Sequence, residues 1–173
     1  YEWYLADYQK VTQQNSISQT RDIFNARLNS FFTDIIKAGL NEKDAALLSA
    51  VTGEVGNNCF DHNMGQWRDV PGCMFGHKKY GSLFYIWLAD RGVGIYETLK
   101  RVHTDIGNEQ QAINAAFEKT ISGRYPEMRG NGLKFVRQVI HENPSRGLVC
   151  ISGHGAFFSG GMSEEISRIR KDL

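Results

Sequence analysis

Cysteine is scarce in this chain: Cys59, Cys73 and Cys150 are an odd number at irregular spacing, with no CxxC pair. Such a set builds neither a zinc site nor a disulfide framework, so a reducing cytosol, and with it a cytoplasmic location, is the simpler expectation. Charge of one sign is not in excess either. Twenty Lys and Arg against 19 Asp and Glu leave a formal net charge of +1, which creates no overall field to draw nucleic acid or an anionic membrane. Only local basic clusters remain to hold phosphate. No run approaches the ~20 apolar residues of a membrane span. The opening Tyr1-Glu2-Trp3-Tyr4 lacks the basic residues and apolar stretch of a signal peptide, and there is no initiator Met; we therefore expect a piece of something longer. Internal repeats, low-complexity tracts and Pro/Ser-rich linkers are also missing.

What is there suits one domain. A chain of 173 residues, 41% hydrophobic and 23% charged, buries a core without disulfide or metal staples. We divide it into an N-terminal extension (1–19), a folded domain (20–160) and a charged helical tail (161–173), after which a further domain is an expectation.

From about Thr20 the pattern turns helical, with Phe24, Leu28, Phe32 and Ile36 in one i,i+4 row and Ile23, Phe31 and Ile35 beside it. Gly39 is the expected stop, and Asn41 caps a second helix reaching about His62. Residues 65–81 read as loop with a short strand near Cys73–Phe75. Ser82 to Ala89 is a continuous apolar run, expected to be a strand buried on both faces. It ends in Asp90-Arg91-Gly92-Val93-Gly94. Helical patterns follow at 95–103 and about 108–121, and a glycine-rich stretch from Gly123 to Gly132 leads into a helix over Leu133–His141. Asn143-Pro144 ends it. Gly147 to Ser152 reads as a strand with Ala156–Phe158 as its hairpin partner. This order predicts an α/β two-layer sandwich, a mixed and mostly antiparallel sheet covered by helices on one face.

The second helix changes chemistry along one stripe. At about 100° per residue, Leu47, Val51 and Val55 share an arc expected to be the buried one, and Glu54, Asn58 and Asp61 continue it. Either that stripe enters a polar cavity or it rotates into solvent. Gly53 and Gly56, each costing up to ~1 kcal/mol against Ala, favour the cavity, because close approach of a ligand or a neighbouring backbone explains them.

Three motifs then stand in order: Glu54-x-x-x-Asn58 on a helix, Asp90-x-Gly92-x-Gly94 after a core strand, and Gly130-Asn131-Gly132-Leu133 at a helix start. They resemble the N, G1 and G2 boxes of the GHKL superfamily of ATPases and kinases, the Bergerat-fold group of type II topoisomerases, heat-shock chaperones, histidine kinases and mismatch-repair ATPases. The resemblance spans roughly residues 20–158. It implies that Asp90 accepts a hydrogen bond from the adenine amine of ATP or ADP, with Gly92 and Gly94 letting the purine lie against the backbone. Gly130, Asn131, Gly132 and Leu133 would offer amides to phosphate at a helix N-terminus, with Lys134 beside them. Asn58 would ligate Mg²⁺, and Glu54 would orient or deprotonate water at the γ-phosphate. Asp61 and His62 echo chaperone-type and anti-sigma-factor-kinase-type variants of the N box.

Two departures stand out. Many relatives carry a Gly-Thr pair on a late strand, and here the matching place reads Gly155-Ala156, leaving Ser152 as a substitute hydroxyl. A phosphoacceptor helix is missing, since His141-Glu142-Asn143-Pro144 follows the third motif and reads as a stop. The leading expectation is a Mg-dependent, ATP-hydrolysing module of a larger regulatory protein, with residues 104–130 as its mobile lid. A protein kinase of the histidine or anti-sigma-factor type and a non-catalytic nucleotide-gated binding module are the alternatives. The partners these readings admit are an unidentified protein, a further domain of the same chain or a second copy of it; none involves membrane or nucleic acid.

Overall fold

A computed structural model describes residues 17–62, 72–119 and 131–161. Residues 1–16 of the proposed extension, residues 120–130 of the proposed lid with Gly130, and the proposed tail from residue 162 lie outside them. The described residues form α/β structure: five helices and two antiparallel sheets, of three strands (β1-β2-β3) and two (β4-β5). They fall into two compact units, Tyr1–Val93 and Gly94–Leu173.

In the first unit, β1 (Ile17–Ser18) leads to helix α1 (Arg21–Lys37), which starts where the Thr20 hydroxyl accepts from the Ile23 amide. It stops at Gly39, whose φ of 100° suits only glycine. There the Leu40 amide reaches back to the Ile35 carbonyl and the Gly39 amide to Ile36, a paired closure that satisfies the last carbonyls. Asn41 caps α2 (Glu42–Asp61), its side chain accepting from the Asp44 amide at 2.9 Å. Strands β2 (Cys73–Tyr80) and β3 (Leu83–Asp90) form a hairpin across Gly81-Ser82.

Strand β2 runs five residues past the short strand expected from sequence. Its inward row is Cys73, Phe75, His77 and Lys79, too polar at the far end to read as a strand; the Lys79 ammonium there donates to the Ala38 carbonyl of α1. Strand β3 is not buried on both faces. Phe84, Ile86 and Leu88 pack inward on Phe24, Phe31, Ile35 and Phe75, whereas Tyr85 and Trp87 stay exposed on the other face. Trp87 lies over Gly76, where a Cβ would come within 2.5 Å of the indole. Phe75 is the hub of the core, edge-on to Phe24 and Phe31 with ring centroids 5.7 and 5.5 Å away.

The wheel reading of α2 is corrected. Its core-facing stripe is Ala45, Leu48, Thr52, Gly56 and Cys59, spaced 3, 4, 4 and 3 apart. Small residues there let α1 come close: a Cβ on Gly56 would lie 2.0 Å from the Phe24 ring, and one on Gly53 would lie 3.2 Å from Leu28. The two glycines therefore make room for side chains of α1, and not for a ligand or a backbone. Val51 is buried as expected, but Leu47 and Val55 are only partly buried, and Glu54 is exposed.

In the second unit, α3 (Gly94–Leu99), α4 (Glu109–Glu118) and α5 (Gly132–His141) accompany the hairpin of β4 (Gly147–Ser152) and β5 (Gly155–Gly160). The core joins Leu99, Ile106, Ala112 and Ala115. Phe117 stacks on Phe157 with centroids 4.2 Å apart and planes within 2°. Val136, Val139 and Ile140 are buried along α5, as its periodicity predicts. Of the expected lid, residues 120–130 lie outside the described residues, and within the rest helix α4 is anchored. It buries Ala112, Ile113, Ala115 and Phe117, and its first turn is bonded to the β4–β5 hairpin. The Gln110 amide donates to the Ala156 carbonyl and accepts from the Ala156 amide, while Glu109 accepts from the His154 amide.

Candidate functional site

Within the first unit the candidate residues gather at one end of the sheet. Because β1, β2 and β3 are antiparallel and in register, Ser18, Cys73 and Asp90 lie directly opposite one another in a row. All three continue the inward face: Ser18 and Cys73 have no exposure, and Asp90 follows Phe84, Ile86 and Leu88 at a period of two. The core thus turns polar at this end, and the Ser18 hydroxyl has no hydrogen-bond partner among the described residues.

Helix α2 closes over the row with Cys59. Its thiol donates to the Val55 carbonyl at 3.7 Å, and Cys59 shares the buried cluster with Cys73. Cys73 beside it pushes the Cys59 thiol well above its usual pKa; burial and the Asp90 charge act in the same direction. Asp90 also turns back on its own loop, where Oδ1 accepts from the Gly92 amide at 2.8 Å.

Asn58, next to Cys59, is half-buried, and its side chain makes no hydrogen bond among the described residues. Glu54 is exposed one turn before it, in no ion pair with any described residue. Asp61 and His62 end the helix, Asp61 in an ion pair with Arg21. That pair gives Asp61 a structural partner on α1. No basic residue occupies the last turn of α2, so its carbonyl end, the negative pole, is left to attract a cation. Among the described residues no three His, Cys, Asp or Glu cluster to hold a metal. A lone amide oxygen fits Mg²⁺, which keeps waters and takes other ligands from phosphate, better than a metal needing an all-protein cage.

The remaining candidates belong to the second unit. Gly94 has a φ of 84° and starts α3; a Cβ there would sit 3.1 Å from the Ser152 hydroxyl. Ser152 accepts from the Ile95 amide at 2.9 Å, so this hydroxyl, considered as a replacement for a missing threonine, caps α3. Gly155-Ala156 begins β5, held at Ala156 by Gln110. Asn131 precedes α5 without a side-chain cap bond, no acid occupies the first turn, and Gly132, Leu133 and Lys134 form that turn. Its amides and positive pole are those of an anion site. Lys134 also lines a cavity of about 300 Å³ with Phe117, Glu118, Arg137, Gln138 and His141.

Sequence reasoning missed Cys59 and Cys73. Their signal was available only through the register that sets Cys73 against Asp90. No helix among the described residues is long and apolar enough to cross a membrane. Comparison with protein-family models, with curated proteins and with solved structures finds no match.

Proposed function

We propose that this chain is a Mg-dependent ATP-binding domain of the Bergerat type, hydrolysing ATP as a module of a larger regulatory protein. The observation that carries the reading is the meeting of two motifs whose nearest residues, Asn58 and Asp90, are 32 positions apart. Cys59, the residue after Asn58, packs in one buried cluster with Leu88 of β3 and with Cys73, which stands directly opposite Asp90. An adenine-reading acid and a magnesium-binding amide need that adjacency. A mere turn at Asp90-Arg91-Gly92 does not.

Asp90 accepts from the exocyclic amine of adenine, a donor that guanine replaces with a carbonyl, and so selects ATP over GTP. Asn58 holds Mg²⁺, which supplies charge neutralisation to the phosphates. The resemblance assigns the phosphates to the third motif, and within the second unit Gly132 to Lys134 form an uncapped first turn of α5 whose amides suit an anion. Glu54, exposed and unpaired among the described residues, is available to take a proton from the attacking water.

Calorimetry with Mg-ATP and Mg-GTP tests the reading, with phosphate release at saturating ATP. Asp90→Asn should weaken ATP binding by about 1–3 kcal/mol, the worth of a lost charged acceptor. Glu54→Gln should keep affinity within a few-fold and lower turnover by roughly 10²-fold or more. Equal affinity of the parent for ATP and GTP would sink the assignment of Asp90. Turnover unchanged by Glu54→Gln would leave a nucleotide-gated binding module as the better reading.

A further inference from the structure

Helix α5 buries one side and turns the other to a hollow. Val136, Val139 and Ile140 enter the core. Lys134, Arg137, Gln138 and His141 line a cavity of about 300 Å³, together with Phe117 and Glu118 at the end of α4. All six belong to the second unit. Residues at i, i+3 and i+7 share a helix face, so Lys134, Arg137 and His141 form one row, about 10 Å long at a rise of 1.5 Å per residue. Arg137 and His141 lie beyond the first turn, out of reach of the amides at the helix start.

Nothing within the helix offsets this row. Lys134 and Arg137 are like charges three residues apart and repel. The residues three and four positions from Arg137 in either direction are Leu133, Lys134, Ile140 and His141, with no acid among them. Other cations of the chain have acceptors: Arg21 the Asp61 carboxylate, Lys100 the Glu97 carboxylate, Lys79 and Arg146 the carbonyls of Ala38 and Val139. Arg137 has none among the described residues. A guanidinium beside a cavity with its donors unused is complementary to an oxyanion, which it meets through two parallel bonds.

The rest of the lining narrows the ligand. Phe117 is buried and stacked on Phe157, so it offers a fixed apolar surface. Glu118 is exposed, without a partner among the described residues. Its carboxylate repels a bare anion and accepts from a hydroxyl. The volume is at the lower end of small-molecule sites, which begin near 300 Å³.

We propose that this cavity binds a small hydroxylated phosphomonoester, its phosphate on Arg137 with Lys134 and His141 beside it and a hydroxyl on Glu118. The proposal stands whether or not the chain binds ATP, with which it shares Lys134 alone.

The test titrates the whole chain with inorganic phosphate and with glycerol 3-phosphate at fixed ionic strength, following the α5 amides by NMR. Glycerol 3-phosphate should bind about 3- to 10-fold more tightly than phosphate, because it adds hydroxyls for Glu118. Arg137→Gln should weaken both by roughly tenfold or more, the scale of a lost charged hydrogen bond. Arg137→Lys keeps the charge without the fork and should stay at least about threefold weaker than the parent. Glu118→Gln should tighten phosphate and narrow the gap between the two probes. Arg137 and Glu118 are both exposed, so these changes spare the core. Lys43→Gln, which removes an exposed cation of the first unit, should change neither affinity by more than about twofold.

A titration that does not saturate, or an equal loss in Lys43→Gln, overturns the proposal, since the probes then answer only to general charge. Loss in Lys134→Gln without loss in Arg137→Gln also overturns it and returns the anion to the helix start. If Arg137→Gln weakens Mg-ATP as much as the probes, the cavity is part of the nucleotide site and no second site exists. A phosphoserine peptide that binds more than about tenfold tighter than glycerol 3-phosphate overturns the small-molecule assignment. Saturable, Arg137-dependent binding in a chain that binds no ATP supports the cavity and removes the proposed function.

Discussion

Gly53 and Gly56 stand three residues apart on one helix and have different consequences. Both are helical, so Ala is favoured at each by up to ~1 kcal/mol of backbone propensity. At Gly56 the new methyl would meet the Phe24 ring at 2.0 Å, and that ring is wedged against Phe60 and Phe75. At Gly53 it would meet only the end of the Leu28 side chain, at 3.2 Å. Gly56→Ala should therefore destabilise by about 1–3 kcal/mol, the usual cost of overpacking. Gly53→Ala should be neutral or gain up to ~1 kcal/mol. Urea denaturation of the two variants checks this; equal midpoints would mean that Phe24 does not hold the floor under Gly56.

At the scale of elements, the connection of α4 to the β4–β5 hairpin decides which parts of the second unit can open. The Gln110 side chain bonds both backbone groups of Ala156, as a neighbouring strand would, and Glu109 takes the next free amide, His154. Helix α4 also buries four residues of its own. Hydrogen exchange should then find the α4 amides and the Ala156 amide among the slow ones without nucleotide. Gln110→Ala should speed exchange at Ala156 and cost about 1 kcal/mol, since the bonds are exposed. Fast exchange along Glu109–Glu118 in the parent would restore that helix to the lid. The lid expectation came from counting polar and glycine residues around a helix of modest amphipathicity. The contacts that pin the helix come from residues more than 40 positions away, which no local pattern shows.

At the scale of the molecule, ligand linkage gives the plainest measurement. A ligand that binds only the folded state stabilises it by RT ln(1 + [L]/Kd), about 2.7 kcal/mol at a hundredfold excess over Kd. Mg-ATP should therefore raise the unfolding temperature, whereas Mg-GTP at the same concentration should raise it less. Chelating Mg²⁺ should remove most of the ATP effect, because Asn58 contributes through the metal. Thermal scans with each nucleotide, with and without chelator, decide it. A shift that ignores the chelator would detach Asn58 from the site.

The sequence by itself determined the two long helices of the first unit with their caps, because Thr20, Gly39 and Asn41 act on backbone groups a few residues away. It also determined the buried row of α5 and the β4–β5 hairpin, where periodicity and turn residues agree. The places of Asn58, Asp90, Gly94 and Gly132 near element ends follow from the same local patterns, whereas their roles toward a nucleotide belong to the proposal. Tertiary structure alone decided which side of α2 is buried. The apolar count favoured Leu47, Val51 and Val55, of which Val51 alone is buried; Phe24 needs the small face of Gly56, and close packing of two helices outweighs a slightly more apolar stripe. It alone decided that β3 shows Tyr85 and Trp87 outward, since a strand's faces differ only by what covers them. And only strand register, fixed by pairing across 17 residues, set Cys73 beside Asp90 and brought Cys59 down upon them.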